Sequence, residues 1–145
     1  MLMPKKTKWA KPHNVKYEKP ASSCNTVVFG EWGLQAVDGG WITNNQIEAS
    51  RVAMSRLIRK GGKLWIRIFP HMSKTKKPLE VRMGSGKGSP ALWVAPVRPG
   101  TVMFEITANS DEQAKYALSI VNHKLPIKCK IIKKADSNLK SNQLT

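Results

Sequence analysis

Acidic residues are scarce in this 145-residue chain: 9 Asp+Glu stand against 25 Lys+Arg, a formal net charge of +16. A compact body with that excess repels itself, so a neutralising polyanion is the expected partner, nucleic acid ahead of an anionic membrane surface. Long apolar runs are also missing, and none approaches the roughly 20 residues that cross a bilayer. Met1-Leu2-Met3-Pro4-Lys5-Lys6 turns polar before an apolar signal core could form. With no arginine before Arg51, the start also lacks the character of a transit peptide, and a cytoplasmic protein without membrane attachment is expected. Cysteine is limited to Cys24 and Cys129 and histidine to His13, His71 and His123, all scattered along the chain. The thiols read as reduced, Cys129 as a small core residue. No metal-ligand spacing and no nucleophile beside a base results, so no enzyme, metal or cofactor is expected.

What is present begins with a basic arm. Residues 1–25 hold Lys5, Lys6, Lys8, Lys11, Lys16 and Lys19 with three prolines and almost no hydrophobic periodicity. Such a segment buries too little to fold by itself, and arms of this kind order on contact with RNA or DNA, with Trp9 and Tyr17 available for stacking.

One domain is expected from 26 to 134. Val27–Gly30 and Leu34–Val37 read as short strands, with a turn at Asp38-Gly39-Gly40. Thr43 and Gln46 then form a capping-box pattern that opens a helix. Ile47, Ser50, Ala53, Met54, Leu57 and Ile58 fall on one side, with Arg51, Arg56, Arg59 and Lys60 opposite, and Gly61-Gly62 ends it. Lys63–Phe69 alternates as a strand with Trp65 sheltered. Ala91–Val97 and Thr101–Thr107 read as a hairpin joined by Arg98-Pro99-Gly100, a type II turn pattern. Ser110 and Gln113 repeat the capping pattern before a second helix with an Ala114, Ala117, Leu118, Val121 stripe, stopped by Pro126. Ile127–Ile131 is a last strand. The predicted fold is α+β: two helices packed on a mainly antiparallel sheet, with the basic arm, a long glycine-rich basic loop, and a frayed tail at 135–145.

That loop occupies Pro70 to Gly88, without a clear element of its own. Lys74, Lys76, Lys77, Arg82 and Lys87 face a single acid, Glu80, and Gly84, Gly86 and Gly88 recur at every second position around Ser85. An extended basic finger reaching into nucleic acid and a solvated loop both fit. A phosphate-cradling nucleotide loop does not, because the spacing matches neither standard glycine motif and Ser89-Pro90 blocks a following helix. A free-standing DNA-compacting protein is the remaining basic-protein alternative.

Several stretches carry a resemblance. Pro4-Lys5-Lys6-Thr7-Lys8, Phe29-Gly30-Glu31-Trp32-Gly33-Leu34-Gln35-Ala36, Gly62-Lys63-Leu64-Trp65-Ile66-Arg67-Ile68-Phe69-Pro70 and the whole of Lys77–Gly88 resemble the family of large-subunit ribosomal protein sixteen in the bacterial series. The segments Thr43–Ala49 and Lys124–Lys128 match in the same order. The chain departs from the family at Ser85, where lysine is frequent, and at Ala10 and Trp41, where basic residues are common. The resemblance implies binding to large-subunit ribosomal RNA, contact with tRNA in the aminoacyl site and, next to it, the peptidyl site, and neighbouring ribosomal proteins as partners. It implies ribosomal RNA contacts at Lys5, Lys6, Lys8, Trp9, Lys11, Arg51, Arg56, Arg59, Lys60, Lys63 and Arg67. It turns the loop residues Lys74, Lys76, Lys77, Arg82, Met83, Gly84, Ser85, Gly86, Lys87 and Gly88 toward the tRNA and the catalytic centre. A ribosome encoded by an organelle is as compatible with the motifs as a bacterial one.

Overall fold

The computed structural model describes residues 2–58 and 61–134. The elements run β1 (Trp32–Ala36), β2 (Gly40–Thr43), α1 (Asn44–Ile58), β3 (Lys63–Ile66), β4 (Met72–Lys76), β5 (Ser89–Val97), β6 (Val102–Thr107), α2 (Asp111–Asn122) and β7 (Cys129–Lys133). Two antiparallel sheets result, one in the order β3-β6-β1-β7 and one in the order β2-β5-β4. The α+β class is as the sequence indicates, with two sheets where one was expected.

The helices pack on each other. α2 lies against β1 and β7, and α1 lies against β3 while also touching β2 and β5, so it bridges the two sheets. At its start the Thr43 hydroxyl accepts the Gln46 N–H at 3.3 Å and the Gln46 side chain accepts the Thr43 N–H at 2.9 Å, a complete capping box. Ser110 likewise accepts the Gln113 N–H. The Gln113 amide, however, donates to the Leu57 carbonyl at 2.7 Å, so half of the expected second box becomes a tie between helices. Ile47, Met54 and Ile58 of α1 and Ala114, Ala117, Leu118 and Val121 of α2 fill the core against Leu34, Phe104 and Ile106.

Four expectations change. Val27–Gly30 is not a strand, because the N–H groups of Val28, Phe29 and Gly30 bind a side chain, Glu105, instead of a neighbouring backbone. β5 and β6 are not a hairpin. Arg98-Pro99-Gly100 makes the expected type II turn, with Gly100 at φ +89° and the Thr101 N–H bonded to the Arg98 carbonyl, but the strands on either side enter different sheets. Part of the supposed long loop is the strand β4, paired with β5 from Met72↔Val94 to Lys76↔Ser89. β3 ends at Ile66 and β7 starts at Cys129, short of and past the alternating patterns read for them. The tail 135–145 lies outside the described residues.

Residues 2–31 contain no helix or strand. Backbone hydrogen bonds nevertheless tie this arm down, from the Ala21 N–H to the Pro99 carbonyl at 2.9 Å and from the Val102 N–H to the Cys24 carbonyl at 2.7 Å.

Candidate nucleic-acid interface

The β4–β5 ladder carries residues 77–88 at its end as the tip of a long hairpin. All of them are exposed except Gly88, which is half-buried, and Met83 stands 96 % exposed. Gly84, Ser85 and Gly86 hold φ of +98°, +57° and +82°, a left-handed run that only glycine adopts without cost. Across it the Lys77 ammonium donates to the Gly84 carbonyl. Gly88 has a different reason to lack a side chain: a Cβ there would sit 2.6 Å from the Lys76 carbonyl oxygen. The alternate glycines thus serve two ends, tip conformation and strand closeness.

The arm is strapped to the base of this hairpin. Lys87 donates to the Lys11 and Pro12 carbonyls at 3.1 and 2.7 Å, Lys11 donates back to the Lys87 carbonyl at 3.1 Å, and Ser73 Oγ donates to the Ala10 carbonyl at 2.6 Å. An ammonium has three N–H donors, so Lys77 and Lys87 each keep some for another acceptor. Lys74 turns inward: its ammonium lies 2.8 Å from the centroid of the Trp41 ring, and burial lowers its pKa. Trp41 in turn meets Tyr17 edge to face at 5.6 Å. Lys76 and Arg82 are exposed.

Elsewhere the cations divide. Lys5, Lys6, Lys8, Trp9 and Lys11 are exposed on the arm, Trp9 to 70 %, with the Lys8 ammonium 5.7 Å from its ring. On α1, Arg51 pairs with Glu48 at 2.6 Å, which lowers the carboxyl and raises the guanidinium pKa through their shared hydrogen bonds. Arg56 and, at the start of β3, Lys63 are exposed. Arg59 and Lys60 lie outside the described residues. Arg67 is directed inward. Its guanidinium binds the fully buried Glu105 carboxylate, lies 5.0 Å from the Phe29 ring centroid, and has its side chain only 14 % exposed.

Glu105 escaped the sequence reading altogether. It sits in the buried strand β6 and accepts the N–H groups of Val28, Phe29 and Gly30 at 3.1, 2.6 and 2.9 Å. Burial pushes its carboxyl up, but the Gly30 N–H, the Arg67 fork and the other two N–H groups outweigh it and hold the pKa below the ordinary value. The one available signal was an acid in the otherwise apolar run Val102-Met103-Phe104-Glu105-Ile106. A buried charge needs partners, and the expected strand Lys63–Phe69 offered Arg67.

An α+β body with a cationic arm and a basic hairpin tip is a binding scaffold. Among the described residues no group of side chains could hold a metal ion, and no helix is long and apolar enough to cross a membrane. Residues 4–132 match the sequence profile of the family described as ribosomal protein L16p/L10e. The large ribosomal subunit protein uL16 of Spiroplasma citri is 61 % identical over 94 % of this chain and 99 % of its own length. Those of Ureaplasma urealyticum serovar 10 and Lysinibacillus sphaericus are 59 % and 54 % identical, over 95 % and 99 % of the chain and 100 % and 99 % of their own lengths. The chain belongs to the L16p/L10e family of ribosomal proteins. It is a structural constituent of the large subunit of a bacterial-type ribosome and not an enzyme.

Proposed function

We propose that this protein clamps large-subunit ribosomal RNA by neutralising several phosphates at once and holds the hairpin tip against tRNA in the aminoacyl site, with the peptidyl site adjoining. The arm residues Lys5, Lys6, Lys8, Trp9 and Lys11, the helix residue Arg56, and Arg59, Lys60 and Lys63 make the ribosomal RNA contacts. Arg51 adds to them when it leaves Glu48, while Arg67 acts from within by fixing the segment before β1. Residues 77–88 form the tRNA-facing tip, with Arg82 offering a planar fork for phosphate and Met83 an apolar contact.

The observation that carries this reading is the hairpin: a basic tip, almost wholly exposed, on a two-stranded base that is itself tied to the basic arm. Such a tip has no packing role in the fold. Binding of ribosomal RNA fragments by the whole protein tests the clamp. With six or more phosphates neutralised, affinity falls about 10³-fold or more between 50 and 200 mM salt. A flat salt response overturns the reading.

A further inference from the structure

A cavity of about 360 Å³ lies between the arm and the domain. Tyr17 and Ser23 of the arm border it on one side, Phe69 and His71 after β3 on another, and Pro96 and Arg98 at the end of β5 on a third. Its size falls within the range of small-ligand sites. Phe69 keeps 46 % of its surface exposed, so an aromatic face remains available where most large apolar side chains of the fold are covered.

The charged side chains around it are of one sign. Lys16, Arg67 and Arg98 line the cavity and no carboxylate does. Glu105 already meets the charge of Arg67, whereas Lys16 and Arg98 are exposed and form no ion pair among the described residues. His71 Nδ1 lies 3.1 Å from the Phe69 carbonyl, an atom that only accepts, so Nδ1 donates there and the other ring nitrogen, Nε2, is left for a further hydrogen-bond partner. An aromatic face, a hydrogen-bonding edge and two uncompensated cations together match a base with its phosphate. Unpaired RNA bases are recognised in this way, stacked on aromatic side chains and bonded at their edges.

We infer that this cavity receives one unpaired nucleotide of ribosomal RNA, turned out of its strand, with the base on Phe69 and the phosphate on Arg98 and Lys16. The inference rests on the RNA-clamp reading above and adds a discrete site that the cation-rich arm and hairpin do not require. A free mononucleotide has the same chemistry, so the test separates the two sources.

Nuclear magnetic resonance titration of the full chain with AMP, GMP, CMP and UMP, against ribose 5-phosphate and inorganic phosphate, reads the site. At least one nucleotide shifts the signals of Tyr17, Phe69, His71 and Arg98, and the two phosphates without a base do not. Phe69→Ala weakens that nucleotide about fivefold or more, the scale of one base–aromatic stack. Ser23→Trp, placed on an exposed lining residue, blocks the cavity and abolishes the shifts without lowering the melting temperature. In large subunits assembled with Ser23→Trp, chemical probing then finds an unpaired base newly reactive beside the protein.

If no nucleotide perturbs the cavity, the inference is wrong. If mononucleotides bind but the probing pattern of the subunit is unchanged, the ligand is a free nucleotide and the assignment to ribosomal RNA is overturned. Either result leaves the salt dependence of RNA binding intact, whereas failure of the clamp reading itself appears as a flat salt response.

Discussion

Lys11 and Lys87 are 76 positions apart, and each donates its ammonium to the other's backbone carbonyl at 3.1 Å. Two cations that ought to repel are held side by side because neither is aimed at the other's charge. Each satisfies a carbonyl that belongs to a segment without regular structure. The arm and the hairpin tip are thereby joined, so fixing one on RNA restrains the other.

Lys87→Ala removes two of the three hydrogen bonds in that clasp, those to the Lys11 and Pro12 carbonyls. Amide exchange and proteolysis around residues 10–14 should accelerate clearly, while the global stability changes by no more than ~0.5 kcal/mol, as for other exposed substitutions. Unchanged protection of the arm would mean that the Lys11 bond to the carbonyl of residue 87 and the Ser73 bond to Ala10 suffice to hold it.

Glu105→Gln tests the buried staple. One acceptor oxygen is kept, but the charge facing Arg67 and the three N–H groups is lost, and at neutral pH the cost is about 3–5 kcal/mol, seen as a lower melting temperature. The sign of the pH dependence follows from the lowered pKa of Glu105. Its stabilisation is full well above about pH 4.3, the ordinary value for glutamate, and is lost as pH falls through the depressed folded-state value. Wild type and variant should therefore converge in stability on acidification, and a constant gap across that window would exclude the charge as the source.

Gly88→Ala and Gly84→Ala separate the two uses of glycine in the tip. An added Cβ at position 88 meets backbone, the Lys76 carbonyl at 2.6 Å, and should lower stability by about 1–3 kcal/mol by disturbing the β4–β5 ladder. At position 84 nothing lies within 4 Å, so the strain of φ +98° is relieved by rearranging an exposed tip and thermal unfolding should barely change. Equal destabilisation by the two variants would show that the tip is packed in solution.

Helix positions were legible because their signals are local: a Thr-x-x-Gln cap and a 3.6-residue apolar stripe predict α1 whatever surrounds it. The same stripe placed Ala114, Ala117, Leu118 and Val121 correctly in α2. Strand partners were not legible, since the turn at Arg98-Pro99-Gly100 looks identical whether the strands beside it pair together or part into two sheets. β4, Met-Ser-Lys-Thr-Lys, escaped notice for a related reason: its polar residues form a strand only because β5 supplies a backbone to pair with. At the candidate interface, the cations could be counted but not assigned. Arg67 and Arg82 are the same letter, and only long-range contacts show that one is held by Glu105 while the other is exposed.

Arg82 is the residue on which the tRNA-facing role bears most directly. It is exposed at the tip, between Val81 and Met83, themselves 54 % and 96 % exposed, so its removal takes away no packing. Arg82→Ala should leave the melting temperature within the range of ~0.5 kcal/mol typical of surface changes while slowing translation by ribosomes that carry it. Arg82→Lys keeps the charge and loses the bidentate fork, so an intermediate rate is expected if the contact is to phosphate. Elongation rates of ribosomes rebuilt with each variant, measured beside the unfolding curves of the free proteins, supply the comparison. A large drop in stability with Arg82→Ala would place the side chain in a packed environment and remove the basis for the tip's role, and unaltered elongation with intact assembly would leave the tip without contact to tRNA.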